Sequence, residues 1–455
     1  MDLHREEALY HQDIQPPDTQ LAAGPTNLAE ADNDTLSIWS KSGALLASSD
    51  LNAFFDVAAG YDFSDPRLLY DAESSRWFLT GLSFDSLNDS VDYIAVSETS
   101  DPRGTWDKFV LARATAVLGD QPMVGVDADK VVVSWDDFSG SPPSTPTFTG
   151  QETHVLQKSD LLSGVAAHDA VFGPDTMRFR IVPALTLTPG TTTEWLTYNE
   201  AACTAGCSAT VSALGVVAIT GTPLAGNVAW TEGDPKFTAT NAPPPPRQPS
   251  GVPVTTQIED HFISAVWRGG HMWIAGNDAC MPAGDSAMRS CLRLVEVVTG
   301  SSPAVIQDFD ASARGIDLYF PAVMVDPAGD IFVSYTKSSP GIYPTAAAVD
   351  GPVGSPATLG NEIVLAAGRA SYLAPPNNRW GDYSAAAPDP SNPSQIWVTA
   401  EYQADTIDAT DWGTATAEVT IYIRPSTNQS VASSPQPRGS VTQSSPAPAS
   451  PRTHP

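Results

Sequence analysis

One unit recurs along this chain, and it constrains the fold more than any other feature. SDPRLLYDAESSRWFLTGL runs from Ser64, GDQPMVGVDADKVVVSW from Gly119 and EDHFISAVWRGGHMWIAG from Glu259. DLYFPAVMVDPAGDIFVSY follows from Asp317 and GDYSAAAPDPSNPSQIWVTAEY from Gly381. Each copy opens on an acidic or aromatic residue and runs into a short apolar strand. A polar turn comes next, with Asp six or seven residues after the opening in three copies (Asp71, Asp127, Asp389). A second strand then carries Trp or Phe: Trp77, Trp135, Trp273, Phe332 or Trp397. AAGPTNLAEADNDTLSIW from Ala22 and MRFRIVPALTLTPGTTTEWLTY from Met177 read as weaker copies.

Each strand pair is followed by one or two more strand-like runs, such as DYIAVSE then TWDKFVLA. These runs are rich in β-branched and aromatic residues and end at Gly, Asp or Pro. No long segment has helical periodicity, so a parallel α/β fold lacks its crossover helices. Three to four strands per unit, repeated about every 40 to 70 residues, predict an all-β propeller. Openings near Pro25, Asp65, Asp120, Pro183, Asp260, Pro321 and Asp382 predict seven blades, with six as the alternative. The propeller is expected over 21–424. The last unit reads one strand short, so the N-terminal segment, 1–20, is expected to close the ring, with a strand within 8–15. PPSTP at 142–146 and PPPPRQP at 243–249 read as exposed loops, and the Ser/Pro-rich residues 425–455 as a disordered tail.

With 23 basic against 52 acidic residues, the 455-residue chain carries a formal charge of −29. Phosphate backbones need stripes of Lys and Arg, so nucleic acid is excluded as a partner and anionic membrane surfaces are disfavoured. A neutral glycan or a small cationic ligand is easier to accommodate. No stretch reaches the ~20 apolar residues of a membrane span. Four cysteines form two local pairs, Cys203 with Cys207 and Cys280 with Cys291. Zinc spacing is absent, so two loop-closing disulfides and an extracellular location are expected. The alternative is a cytosolic chain with free thiols, because no basic segment followed by an apolar run opens the sequence. A propeller closes on itself, so a monomer is expected.

Thr99-x-Asp101-x-x-Gly104-Thr105-Trp106 resembles the Asp-box of sialidase-like (BNR-type) propellers, with Gly one place late. SDPRLLYD followed by RW, GDQPMVGVD and RWGDYSAAAPDP resemble segments of uncharacterised secreted bacterial propellers related to that group. The resemblance spans residues 20–424 and implies a ligand site at one mouth of the central channel. Sialidases hold a carboxylate with three arginines and use a Tyr–Glu nucleophile pair with an Asp acid. Phe179-Arg180-Ile181-Val182-Pro183-Ala184-Leu185 resembles their first arginine motif. It carries an extra Val before Pro and lies mid-chain, and the sequence assigns no second or third arginine.

The openings place Asp65, Asp120, Asp260 and Asp382 at the channel mouth, with Arg67, His261, Arg379 and Tyr383 beside them. Loops after the second strands are expected to add Asp136, Asp137, Asn277, Asp278, Glu401 and Tyr402. From these, the candidate catalytic residues are Asp65, Asp120, Asp260, His261, Arg379, Asp382, Tyr383 and Glu401. Converging carboxylates can hold a structural Ca²⁺, divide acid and base roles in glycoside cleavage, or accept backbone N–H bonds from the next blade. Arg379-Trp380-Gly381-Asp382-Tyr383 combines Arg with aromatic rings, which suits sugar recognition. No HExxH or GxSxG occurs, and Gly284-Asp285-Ser286-Ala287 reads as a polar loop. Two functions remain open: a carbohydrate-active hydrolase or lyase, and a non-catalytic glycan- or protein-binding propeller.

Overall fold

A computed structural model describes residues 15–420 apart from 142–144, 200–212, 256–257, 353–358, 361 and 376–377. Seven antiparallel sheets follow one another along the chain, and each is a blade of a seven-bladed β-propeller. The innermost strands are Gln20–Ala23, Tyr61–Asp71, Val117–Val126, Val182–Pro183, Phe262–Arg268, Asp317–Val325 and Ala385–Pro388 for blades 1 to 7. Most blades have four strands. Blade 5 gains a short parallel strand, Leu185–Thr186, beside Val266 and Trp267. Blade 7 has three strands among the described residues.

The repeat pattern explains this regularity. Side chains alternate across each strand, and both faces of a blade pack against neighbours, so the strands read as nearly continuous apolar runs. Trp77 shows the fit: it is fully buried, and a Cβ on Gly24 of blade 1 would sit 2.4 Å from its ring. In four blades an Asp after the opening caps the first hairpin on the face away from the mouth. Asp127 accepts from the N–H groups of Asp129 and Lys130 at 2.9 and 2.8 Å. Asp71, Asp326 and Asp389 do the same in blades 2, 6 and 7. These are Asx turns, in which a short side chain stands in for a backbone acceptor.

At the other end, the innermost strands kink. Asp65, Gln121 and Phe320 take φ of 53°, 54° and 54°, each just before a proline, at register shifts in blades 2, 3 and 6. Arg180 adopts φ 54° ahead of blade 4. A bulge with one residue in the left-handed region bends the strand and re-aims its side chains, which is why bulges gather at barrel rims and sites. In four blades a polar residue at or just past the end of the second strand then ties the strand opening of the next blade. Asn33 Oδ1 accepts from Asp65 N–H at 2.7 Å, and Asn277 Oδ1 from Phe320 N–H at 2.7 Å. Asp136 accepts from Arg180 N–H at 3.2 Å, and Asn199 Nδ2 donates to the Asp260 carbonyl at 2.8 Å.

Six of the seven openings read from sequence lie at this mouth. Pro25 does not: it sits in the hairpin turn after Gln20–Ala23, where Gly24 N–H bonds Asn27 O at 2.9 Å. The mouth of blade 1 is Asp18, which precedes its strand at φ 53°. Glycine and proline mark turns at either end of a strand, so the motif alone misplaced the register. Asp18 also joins the first blade to the last, since its Oδ1 accepts from Asp382 N–H at 2.7 Å. Leu21, Ala23 and Leu28 pack against Ala385, Ala387 and Trp397 at the same seam. The expected closing strand within 8–15 falls almost wholly on residues 1–14, which lie outside the described residues. So do the tail, 425–455, and the Cys203–Cys207 pair. Cys280 and Cys291 form the disulfide expected of them. The SDPRGTW turn joins the two outer strands of blade 2, with Trp106 buried and its Nε1 on Pro102 O at 2.9 Å. Among the described residues no helix is long and apolar enough to cross a membrane.

Candidate functional site

The kinked strand ends surround a cavity of about 660 Å³ at the channel mouth. Leu118, Phe138, Ile258 and Phe320 form apolar walls. Asp120, Arg180, Glu259, His261, Arg379, Asp382 and Tyr383 supply the polar lining. Five of the eight candidates read from sequence therefore line one pocket, although they come from blades 3, 5 and 7.

Arg180 is the hub. Its guanidinium is nearly buried and faces three carboxylates: Nη1 to Asp120 at 3.7 Å, Nε to Asp136 at 3.6 Å and Nη2 to Glu259 at 3.7 Å. The two acids on its outer nitrogens behave differently. Burial pushes Asp120 up to about 6, with Asp65 and Glu259 adding to the rise and Arg180 and Arg379 opposing it. Burial acts in the same direction on Glu259, but Arg180, His261 and Arg379 outweigh it and leave its carboxyl below the usual range. Glu259 remains more than half exposed to the pocket. Asp136, behind the guanidinium, is pushed by burial to about 7.

His261 Nε2 lies 3.5 Å from Glu259, and its ring meets Phe179 edge-on at 4.9 Å. Burial lowers its pKa, against the pull of Glu259, so the imidazole is neutral near pH 7. Arg379 pairs with Asp382, which also takes Gln121 Nε2 at 3.5 Å. Burial raises Asp382 well above the carboxylate range, with Asp18 and Asp65 adding to it. Tyr383 is buried and neutral, its pKa raised well above the usual by burial. The Arg67 guanidinium lies over the Tyr383 ring, 3.4 Å from its centroid.

The other candidates lie elsewhere. Asp65 is buried and does not line the pocket; its Oδ1 accepts from Ser64 Oγ at 3.0 Å. Asp260 is buried in the seam with blade 4, and the residue before it, Glu259, occupies the pocket in its place. Glu401 is buried behind Gly381 and accepts its N–H at 3.0 Å, a supporting contact. Among the loop residues, Asn277 lines the pocket and Asp136 backs Arg180. Asp278 points outward to Arg293 at 2.5 Å, and Asp137 faces Glu152 and His154. Glu259 was missed because the repeat drew attention to Asp260. Side-chain alternation was the available signal: neighbours on an extended chain face opposite ways. Among the described residues, no group of three or more His, Cys, Asp or Glu is arranged to hold a metal ion.

The sequence matches no known family's profile, and no curated protein matches it. Solved structures do. A GH93 α-L-arabinofuranosidase of Fusarium graminearum in complex with arabinobiose is similar at 9% identity and TM-score 0.43, over 90% of this chain and 94% of that one. A Trypanosoma rangeli sialidase in complex with sialic acid is similar at 9% identity and TM-score 0.40, over 87% of this chain and 59% of that one. A protein of unknown function from Dyadobacter fermentans is similar at 10% identity and TM-score 0.37, over 80% and 84% of the two chains. The architecture itself is read from the chain's own sheets, which make a seven-bladed β-propeller.

Proposed function

We propose that this propeller is a secreted glycoside hydrolase acting in the mouth pocket, with Asp120 as the acid and Glu259 as its ionised partner. One observation carries the reading. Two carboxylates flank a single guanidinium, and their surroundings push their pKa values apart. Such divergence assigns acid and base roles in two-carboxylate hydrolysis. Two contacts of 3.7 Å across one guanidinium keep the carboxylates within about 10 Å, a reach that covers both the retaining and the inverting arrangement. Protonated Asp120 donates to the departing glycosidic oxygen. Ionised Glu259 attacks the anomeric carbon or activates water for that attack. Arg180 holds both in place, and the apolar walls with Tyr383 suit the face of a sugar ring. The Cys280–Cys291 disulfide supports an oxidising compartment.

The test is a screen of chromogenic aryl glycosides and polysaccharides, run beside a glycan array. Asp120→Asn and Glu259→Gln are each expected to lose roughly 10²–10⁴-fold in kcat while keeping glycan binding. Binding by the wild-type protein without turnover of any bound glycan would replace this reading with that of a glycan-binding propeller.

A further inference from the structure

Beneath the mouth pocket lies a second, smaller cavity of about 100 Å³, lined by residues from the innermost strands of all seven blades. Ile263 borders both cavities, so one sits directly under the other. The lower one is walled mainly by aliphatic side chains, and Gln20, Arg67, Ser264 and Ser384 are its polar members. Arg67 is the anomaly. It is 8% exposed, yet among the described residues its Nε and Nη2 have no hydrogen-bond partner. Among the described residues no carboxylate comes within ion-pair distance of it. Its one close partner is the ring of Tyr383.

A guanidinium carries its positive charge wherever it sits. A buried charge is retained when something of opposite sign offsets it. Among the described residues none of the nearby groups pairs with Arg67 directly. Asp382 is engaged by Arg379, and Tyr383 is neutral. Asp65, two residues away, is turned to Ser64. Among the described residues Ser384 Oγ is likewise buried without a partner, and Ser264 Oγ accepts from Val323 N–H at 3.1 Å, which leaves its O–H free to donate. The chamber therefore presents donors and a positive charge. Its volume is too small for a sugar residue and large enough for a monatomic anion with a few waters.

We infer that the channel under Tyr383 is a binding site for a small inorganic anion of the halide class, held by Arg67 with the Ser384 hydroxyl. The inference is independent of the hydrolase reading, since it concerns a different cavity and is read without substrate. The test uses the full chain and two measurements. Thermal unfolding is followed in sodium chloride and in sodium gluconate at matched ionic strength. Chloride is expected to raise Tm saturably, by roughly 3 to 6 °C at a hundredfold excess over its Kd. Arg67→Met is expected to abolish the difference between the salts. Equal Tm in chloride and gluconate, or an undiminished chloride response in Arg67→Met, overturns the proposal. If Arg67→Met does not fold, Ser384→Ala gives the same readout, with the chloride midpoint shifted about tenfold. An unshifted midpoint would count against the site. Crystals soaked in sodium bromide should show an anomalous peak beside the Arg67 guanidinium, and its absence sinks the idea.

Discussion

Asp120 and Glu259 are both carboxylic acids on the rim of one pocket, and their neighbours give them opposite tendencies. Asp120 is hemmed in by protein and by other acids, so its proton is held up to about pH 6. Glu259 reaches into the cavity and meets two arginines and a histidine, so it ionises below the usual range. The productive form has Asp120 protonated and Glu259 ionised. Activity should therefore fall as pH rises through about 6, by about tenfold per pH unit beyond it. On the acid side it should fall only below the ordinary glutamate range. A kcat/KM profile that is flat from pH 5 to 8 would remove Asp120 from the acid role. Asp120, His261, Arg379, Asp382 and Tyr383 were legible in the sequence because they stand at or beside the repeat's openings. Glu259 and Asp18 were not, because the repeat marks where a strand begins and not which of two neighbours faces inward. Arg180 was visible only through a resemblance, and its contacts with two blades had no local signature.

Each blade must hand its strand end to the next, and the side chains that do so are chiefly amides. Asn277 accepts the N–H of Phe320, a residue left without a ladder partner by the bulge in blade 6. Asn277→Ala strands that N–H in a buried seam and should cost about 1–3 kcal/mol. Asn33→Ala should cost more, because Asn33 also donates to Pro16 O and to Asp18, both at 2.8 Å. Chemical denaturation of the two variants beside Ser286→Ala, on the exposed loop, checks the order; equal midpoints in all three would refute the latch. Reducing Cys280–Cys291 should cost about 2–3 kcal/mol through the loop it closes, read as a lower Tm in reductant. From the sequence, one possible use of the opening acids was to accept N–H bonds from the adjacent blade. The structure gives that work largely to residues at the ends of second strands, Asn33, Asp136 and Asn277, with Asp18 serving at the seam. The bulge explains the exchange: it turns the opening residue's own N–H outward, and the acceptor must come from the preceding blade.

At the scale of the whole molecule, acid groups buried in seams dominate the pH response. Burial raises Asp32 to about 8, Asp34 and Asp136 to about 7, and Asp18 and Asp120 to about 6. A raised carboxyl binds its proton more tightly in the folded state. Its contribution is complete below the unfolded pKa and is lost as pH climbs through 6 to 8. His154 acts in the same sense: burial opposes its charge, but Asp169 and Glu152 prevail and lift it to about 9. Asp101 and Asp285, held low by Arg103 and Arg289, add stability that disappears at strongly acid pH. Tm should therefore peak in mildly acid solution and fall between pH 6 and 8. Calorimetry from pH 3 to 9 at constant ionic strength tests this, and a Tm that rises steadily to pH 8 would contradict it. The sequence by itself determined the class of architecture. Alternating strands, hairpin Asp residues and recurring openings are local or periodic signals, and a repeat that cannot bury its faces alone must stack into a ring. It also determined which end of each blade carries acidic residues. Only the tertiary structure decided what those acids can do. A carboxylate's pKa and partner depend on groups within a few ångströms, and here these come from blades far apart in the chain. The −29 charge of the sequence hides a mouth where arginines from blades 4 and 7 stand among acids, because ring closure, not sequence proximity, brings Arg180 and Arg379 to one pocket.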